Sequence, residues 1–494
     1  MPFLTDLDYE NPVQLPISQI KTVAIIGGGA SGAIILDSLL KEPSGIEKIV
    51  VFERQYKVGG IWLLNEDIRS TPNELIKSGS YANDPQLPNP FHEIQTTDKE
   101  LVLPRSTQER FIETPSYAGI KTNILEKMMT YSDVNKWPIE GDYEQRKYIP
   151  GTLVQEYIQS YIDRNLDDPR VTLRLGSTVE DVERVERNDG AELPYRFKLT
   201  VRTAKDEDHD LWYQEEFDTV VVATGHYHVP FIPHVPGLKE IQELFPEKVQ
   251  HAKFYRESGG YKNKTVIIVG SRASGADLSK FISREPGTIV YQSIRNFDNM
   301  KLLSNNSNIT RKPTIEKYEI DGSNIKVVFS DGSIVENPDH IIYCTGYLFS
   351  FPYLNRLTNN KIIDGKIVTN LYQHTFLVNE PLITIIGVPV DGISFRVFEY
   401  QSVLVSRYLT GKIALPNRKT QSEWVNQRFA DKKNTRAYHT IGVADALNYS
   451  SDLVKLGEVL DKIDVGRKFP VMTPDDIILY KEAAETLSKF WDER

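Results

Sequence analysis

Gly27, Gly29 and Gly32 stand at G-x-G-x-x-G spacing in the stretch Lys21 to Gly32, KTVAIIGGGASG. A short apolar run containing Val and Ile precedes them, and an apolar, helix-like segment, Ala33 to Leu40, follows. The order is strand, tight turn, helix, and no other feature limits so strongly what this chain can fold into. Gly27 permits the turn, Gly29 lets the backbone approach a pyrophosphate, and Gly32 lets the helix pack closely on the strand. The first N–H groups of the helix then face the anion. A second apolar run, Lys48 to Phe52, ends in Glu53, roughly 20 residues past the last glycine, where an acid can hydrogen-bond the ribose of a dinucleotide.

The pattern returns later in the chain. Lys264 to Val269 reads as a strand, Gly270 and Gly275 bracket a turn, and Ala276 to Ile282 reads as a helix. An internal repeat of a nucleotide-binding unit implies two nucleotides. Ala30 and Ser31 in the first turn, and Ser274 in the second, lie between the glycines. Arg272 occupies the central glycine position of the second turn, and it either turns its side chain away or offers a cation to phosphates. The strand after this turn, Thr288 to Gln292, is followed by Ser293 and Arg295 instead of an acid. An arginine there suits a 2′-phosphate, which favours NADP over NAD.

Other segments fit around these two units. Thr219 to Gly225, TVVVATG, is an apolar strand stopping at Thr224-Gly225, and His340 to Gly346, HIIYCTG, repeats that ending at Thr345-Gly346. In Val58-Gly59-Gly60-Ile61-Trp62 the paired glycines point to backbone passing close to a ligand, with Trp62 against a flat ring; a turn capped by a core tryptophan is the alternative. Tyr117 to Asp133 reads as a helix preceded by Thr122 and Asn123, which by spacing alone are an N-cap pair. Asn65 to Pro115, polar and repeatedly broken by proline, is expected to form long surface loops. Between Val171 and Phe217 the apolar period is two, as in a small antiparallel meander whose runs are Val171 to Leu175, Arg196 to Val201 and Leu211 to Phe217. Asp331-Gly332 and Asp364-Gly365 mark hairpins.

Composition removes whole classes. The single cysteine, Cys344, rules out an intrachain disulfide, a C-x-x-C pair and a multi-cysteine zinc site. Among nine scattered histidines the nearest pair is His226 and His228, so no metal is expected. A net charge of −10 with 26% charged residues argues against nucleic acid. Length alone, 494 residues, points to two or three domains. Met1 to Ile20 has neither a basic nor an apolar leader region, and no stretch approaches a membrane span. A cytoplasmic protein without a transmembrane segment is expected, and homodimerisation is left open.

Taken together, these residues resemble the flavin-containing monooxygenases, class B flavoproteins of fungal type, from about Thr22 to Pro416. The likeness runs through the first glycine turn, the Gly59-Gly60-Ile61-Trp62 step, and Thr122-Asn123 with Tyr131-Ser132-Asp133. Phe245, His251 and Tyr255 are similar to the family's F-x-G-x-x-x-H-x-x-x-[YF] fingerprint, with Glu247 where glycine is usual. Cys344-Thr345-Gly346-Tyr347 resembles A-T-G-Y, and Glu399-Tyr400-Gln401 the E-x-Q element.

The resemblance implies an α/β fold with two Rossmann-like dinucleotide-binding domains. An FAD domain, interrupted by the meander, would comprise residues 1–228 and 343–494, with an NADP domain inserted at 229–342. It implies that NADPH reduces FAD, that oxygen then forms a C4a-hydroperoxide, and that this oxidises a soft nucleophile such as an amine, thiol or thioether. Asn123 matches the family's active-site asparagine, and His251 its structural histidine. A disulfide reductase needs a dithiol this chain lacks, and an amine oxidase has one nucleotide unit. A Baeyer–Villiger monooxygenase acting on ketones is the main alternative, with Tyr255 in place of tryptophan against it. A catalytically weak protein that merely binds both nucleotides would rest on Arg272 and Glu247.

Overall fold

The computed structural model describes residues 10–65, 87–94, 98–106, 113–140, 147–187, 190–295, 308–443, 445–459 and 464–492. The elements that position the site are ten strands and five helices. The strands are β1 (Thr22–Ile26), β2 (Lys48–Phe52), β3 (Val171–Arg174), β4 (Thr219–Val222), β5 (Val249–His251), β6 (Thr265–Val269), β7 (Ile289–Ser293), β8 (Ile309–Lys312), β9 (His340–Tyr343) and β10 (Ile383–Ile385). The helices are α1 (Ala30–Lys41), α2 (Gly151–Asp163), α3 (Ala273–Ser283), α4 (Ser394–Leu409) and α5 (Pro474–Asp492).

Two sheets organise the molecule. The first has seven strands and a parallel core in the order β10, β4, β1, β2, β3, extended beyond β10 by the antiparallel pair Leu371–Tyr372 and Phe376–Leu377. β1 and β2 read as nearly unbroken apolar runs because both their faces are covered. Ser31 through Leu39 of α1 are all buried, since α1 lies on this sheet beneath α2 and α4. The second sheet, β5-β9-β6-β7-β8, is parallel throughout. It is flanked by α3 and by the antiparallel strands Ile315–Asp321, Asn324–Phe329 and Ile334–Glu336.

The chain crosses between the lobes on two segments that pair with each other. Val229–Pro230 is antiparallel to Tyr347–Leu348, Phe231 N–H donates to Gly346 O at 2.8 Å, and the Thr345 hydroxyl donates to Phe231 O. A third strand of chain visits the second lobe. Tyr117 belongs to that lobe's buried cluster with Ala252, Tyr255 and Leu278, and the Arg256 guanidinium donates to the carbonyls of Thr114 and Ser116.

Three expectations are corrected. The run Val171 to Leu175 is no part of the meander: Val171–Arg174 is a parallel strand beside β2, separated from the meander by the left-handed Gly176. Alternation alone does not tell a parallel edge from a hairpin strand. The four-stranded meander is Glu100–Pro104, His209–Phe217, Tyr195–Ala204 and Ser177–Glu186. Its edge strand Glu100–Pro104, and the helix Pro90–Ile94, fall where surface loops alone are expected; residues 66–86, 95–97 and 107–112 of that stretch lie outside the described residues. Finally, Tyr117 to Asp133 forms no α-helix beyond one 3₁₀ turn, Glu126–Met128. Its backbone donors go elsewhere, Thr122 N–H to Ile149 O, Tyr131 N–H to the Tyr157 hydroxyl, and Ser132 N–H to the Glu399 carboxylate. The hairpins at Asp331-Gly332 and Asp364-Gly365 are present.

Candidate functional site: two glycine cradles and the seam between them

The two glycine turns repeat each other bond for bond. Gly27 N–H donates to Phe52 O at 2.8 Å and Gly270 N–H to Ser293 O at 3.0 Å. Both glycines have positive φ, 111° and 126°. A Cβ on Gly27 would lie 2.5 Å from Ala223 O, and one on Gly270 2.6 Å from Cys344 O. The Thr224-Gly225 and Thr345-Gly346 endings therefore stand directly behind the two turns. Close helix packing is equally enforced: a Cβ on Gly32 would lie 2.0 Å from Gly27 O, and one on Gly275 2.3 Å from Gly270 O.

Helices α1 and α3 both begin without a side-chain cap and without an acid in the first turn. Their first N–H groups are thus left to an anion. This fits a pyrophosphate at each turn.

Around the first cradle the contacts are dense. One Glu53 oxygen accepts Gly28 N–H at 2.7 Å and the other Gln55 N–H at 2.8 Å; burial raises its pKa from the ordinary carboxylate value. Gly59 N–H donates to Gly28 O at 3.1 Å, and a Cβ on Gly29 would lie 3.4 Å from the Cα of Gly60, so the two backbones face each other. Ile61 and Trp62 complete the short turn Gly60–Trp62. A Cβ on Gly151 would meet the Trp62 ring at 3.1 Å, so that ring packs on the start of α2. Ala30 O accepts the Tyr131 hydroxyl at 2.6 Å, and Ser31 is buried. The Thr224 hydroxyl meets that of Tyr353 at 3.1 Å.

The second cradle is barer. Arg272 caps α3 by position only, and its side chain, 70% exposed, leaves the turn for Asp391 at 2.9 Å. Asp391 also pairs with Arg436 through both oxygens. Of the two alternatives for Arg272, the side chain is turned away. Ser274 is half-buried in the first turn of α3. The Ser293 hydroxyl donates inward to Pro313 O at 2.9 Å, and Arg295 is exposed.

Thr122 and Asn123 lie where the lobes meet. Thr122 is buried and its hydroxyl accepts Ile149 N–H at 3.1 Å, next to Pro150 and Gly151 beneath Trp62. Two residues beyond Asn123, Leu125 shares a buried cluster with Ala276 of α3 and Ile294 at the end of β7. Asn123 itself is exposed, and with no helix starting at Ile124 it caps nothing.

One residue here escaped the sequence. His226 Nδ1 donates to Gly387 O at 3.1 Å, which leaves Nε2 as an acceptor. That atom is buried without a partner among the described residues, and burial lowers the imidazole pKa to about 4. Gly387 is fixed in turn by the Gln401 side chain, which accepts its N–H at 3.0 Å. A bound molecule supplying an N–H or O–H donor would satisfy Nε2, a second fit to a nucleotide. The only local signal was a polar side chain following the left-handed Gly225. His228 is spoken for, linking Arg54 at 2.8 Å to Thr224 O at 2.6 Å. His251 donates to Gly346 O at 3.0 Å and accepts Lys253 N–H, and burial lowers its pKa to about 3. It pins the crossing between the lobes.

Among the described residues one group has metal-ligand proximity, His92, Asp181 and Glu183, but Arg356 already pairs with Asp181 at 2.8 Å. Cys344 is buried behind Gly270 and Gly275, and burial raises its thiol pKa.

Two glycine cradles meeting at a common seam define a protein built to hold two nucleotides. The family model described as flavin-binding monooxygenase-like matches residues 112–297 and 304–477. The flavin-containing monooxygenase FMO GS-OX2 of Arabidopsis thaliana is 30% identical over 85% of this chain and 80% of its own. The flavin-containing monooxygenase ustF2 of Aspergillus flavus is 26% identical over 88% and 91%. S-allyl-L-cysteine S-oxygenase from Allium sativum shares the fold, with a TM-score of 0.72 over 96% of this chain and 95% of that one at 23% identity. The chain belongs to the flavin-binding monooxygenase family, an FAD- and NADPH-dependent enzyme class. No helix among the described residues is long and apolar enough to cross a membrane.

Proposed function

We propose that this enzyme oxygenates soft nitrogen or sulfur nucleophiles, with FAD at the first cradle, formed by residues 1–228 and 343–494, and NADPH at the second, in residues 229–342. The observation that carries this is Asn123, an exposed amide between a residue tied to the first cradle and one packed on the second. When bound, the flavin supplies oxygen activation once NADPH has reduced it. The chain's own residues bind and exclude. The uncapped starts of α1 and α3 take the two pyrophosphates, Glu53 takes a ribose of FAD, and Arg295 reads the 2′-phosphate of NADPH. Asn123 offers donors and an acceptor but no titrating proton, and His226, neutral above about pH 4, accepts without donating from Nε2. A site of that character would bring no titrating proton to the flavin and would help keep water from it. The name of S-allyl-L-cysteine S-oxygenase, whose fold this chain shares, supports a sulfur-bearing substrate.

Asn123→Ala tests the proposal. Flavin content and the rate of flavin reduction by NADPH are expected to stay near those of the parent, while hydrogen peroxide released per NADPH rises several-fold. Because the side chain caps no helix, the loss of stability is expected within about 0.5 kcal/mol, the range of surface substitutions. A mutant that stays fully coupled defeats the assignment. Offering a thioether and a ketone side by side separates heteroatom oxygenation from the Baeyer–Villiger alternative.

A further inference from the structure

The C-terminal helix α5 reaches both lobes. Its start is locked by a reciprocal cap, with Thr473 N–H donating to the Asp476 carboxylate at 2.8 Å and Asp476 N–H to the Thr473 hydroxyl at 3.4 Å. Lys127, on the first lobe four residues past Asn123, pairs with Asp476 at 2.5 Å. Asp476, Ile477 and Ala483 are buried and Tyr480 is half-buried, while Ile478, Lys481 and Glu482 are exposed. That spacing of three and four puts one helix face inward.

The inward face ends at the second cradle. Ala483 shares one buried cluster with Leu125 and Tyr148 of the first lobe and with Ala276 and Ile294 of the second, and the Tyr148 hydroxyl donates to Ala483 O at 3.3 Å. Ala276 directly follows Gly275 in the first turn of α3, and Ile294 directly precedes Arg295. These two positions bracket the crevice in which an adenosine 2′-phosphate and pyrophosphate bind on such a sheet. The family match stops at residue 477, within this helix, so Leu479, Tyr480 and Ala483 lie outside the matched segment.

We infer that α5 is the outer wall of the pyridine-nucleotide crevice, and that its docking sets how fast NADP(H) enters and leaves. This rests on the proposed placement of NADPH at the second cradle. A helix held by one face on two lobes draws most of its stability from that docking, because helices in proteins are stabilised chiefly by packing of their apolar face. The lobes therefore share a closing element that the glycine motifs do not encode. Nucleotide bound beneath the wall favours the docked state, and release requires opening.

The test uses the full-length FAD-loaded enzyme, a chain ending at Thr473, and Ala483→Glu, which forces a charge into the buried cluster. Saturable NADP⁺ binding by the parent, weakened tenfold or more in Arg295→Ala, establishes the cradle first; its absence sinks the placement of NADPH and the wall with it, whereas failure of the wall alone leaves that binding intact. NADP⁺ is then expected to slow hydrogen exchange across residues 474–483 of the parent. In both variants NADP⁺ is expected to dissociate at least tenfold faster, with flavin content unchanged. Unaltered or faster exchange in the parent overturns the wall, as do dissociation rates within twofold of the parent in a variant whose helix is shown by exchange to be undocked. Should either variant fail to fold, the parent's exchange measurement still decides.

Discussion

The first and second glycine cradles share their backbone bonding and part company in what surrounds them. Gly29 opposes Gly60 so closely that a Cβ on Gly60 would lie 3.1 Å from the Gly29 Cα, and the Glu53 carboxylate is built into the turn by accepting Gly28 N–H. At the corresponding places the second cradle has Arg272, whose side chain departs for Asp391, and the buried Ile294, which has no carboxylate to offer. One turn is enclosed by a second layer of chain, and the other is bordered by exposed cations. The same turn thus stands in two different surroundings. The enclosed site suits a cofactor held through many turnovers, and the open one suits a reductant that must be exchanged each cycle.

The largest effect expected from breaking this comparison comes from closing each turn with a methyl group. Gly32→Ala places a carbon against Gly27 O and is expected to give colourless protein without retained flavin. Gly275→Ala, with the same clash at Gly270 O, is expected to stay yellow and to lose NADP⁺ binding by a hundredfold or more. Absorbance at purification and NADP⁺ titration read the two outcomes, and a colourless Gly275→Ala would show that the lobes do not act separately.

Next in size, Glu53→Ala removes the acceptor of Gly28 N–H along with the proposed ribose contact. Flavin retention on dialysis is expected to weaken by about 2–4 kcal/mol, that of one or two charge-assisted hydrogen bonds. Unchanged retention takes Glu53 out of the flavin site. Arg295→Ala is expected to cost NADPH about 1.5–3 kcal/mol and to leave NADH nearly untouched. Equal losses in kcat/KM for both would make Arg295 a structural residue.

The smallest effect sharpens the contrast from the other side. Arg272→Ala deletes an ion pair exposed at its arginine end, worth under about 1 kcal/mol. A modest drop in thermal stability with NADPH KM changed less than threefold is expected. A tenfold rise in KM would mean that the guanidinium swings from Asp391 to the phosphates.

Short-range pattern accounts for what was legible. Both glycine turns, the parallel strands that feed them, the two hairpins and the Thr-Gly endings are each written in a few consecutive residues. The seam is not. Arg272 finds Asp391 across 119 positions and His226 finds Gly387 across 161, and nothing local marks either partner. Tyr117 to Asp133 shows the opposite failure. Its helix-like spacing of Leu125, Met128 and Met129 is real, yet Tyr157 and Glu399 capture the backbone donors that a helix would use. Tertiary bonding overrode a local preference.

The two crossings between the lobes form one paired ribbon, Val229–Pro230 against Tyr347–Leu348, so this part of the chain goes in and comes out by the same door. Such a module can be lifted out and replaced without re-threading its host. Splicing the corresponding lobe of a relative between residues 231 and 346 must preserve a two-residue ladder, the Thr345 and His251 bonds that lock it, the surface that receives Tyr117, and the contacts of Ala276, Ile294 and Arg272 with Leu125, Ala483 and Asp391. On the proposed placement of NADPH in this lobe, preference for one reductant over another is then portable between such enzymes as a cassette, while the chemistry on the flavin side stays with the host.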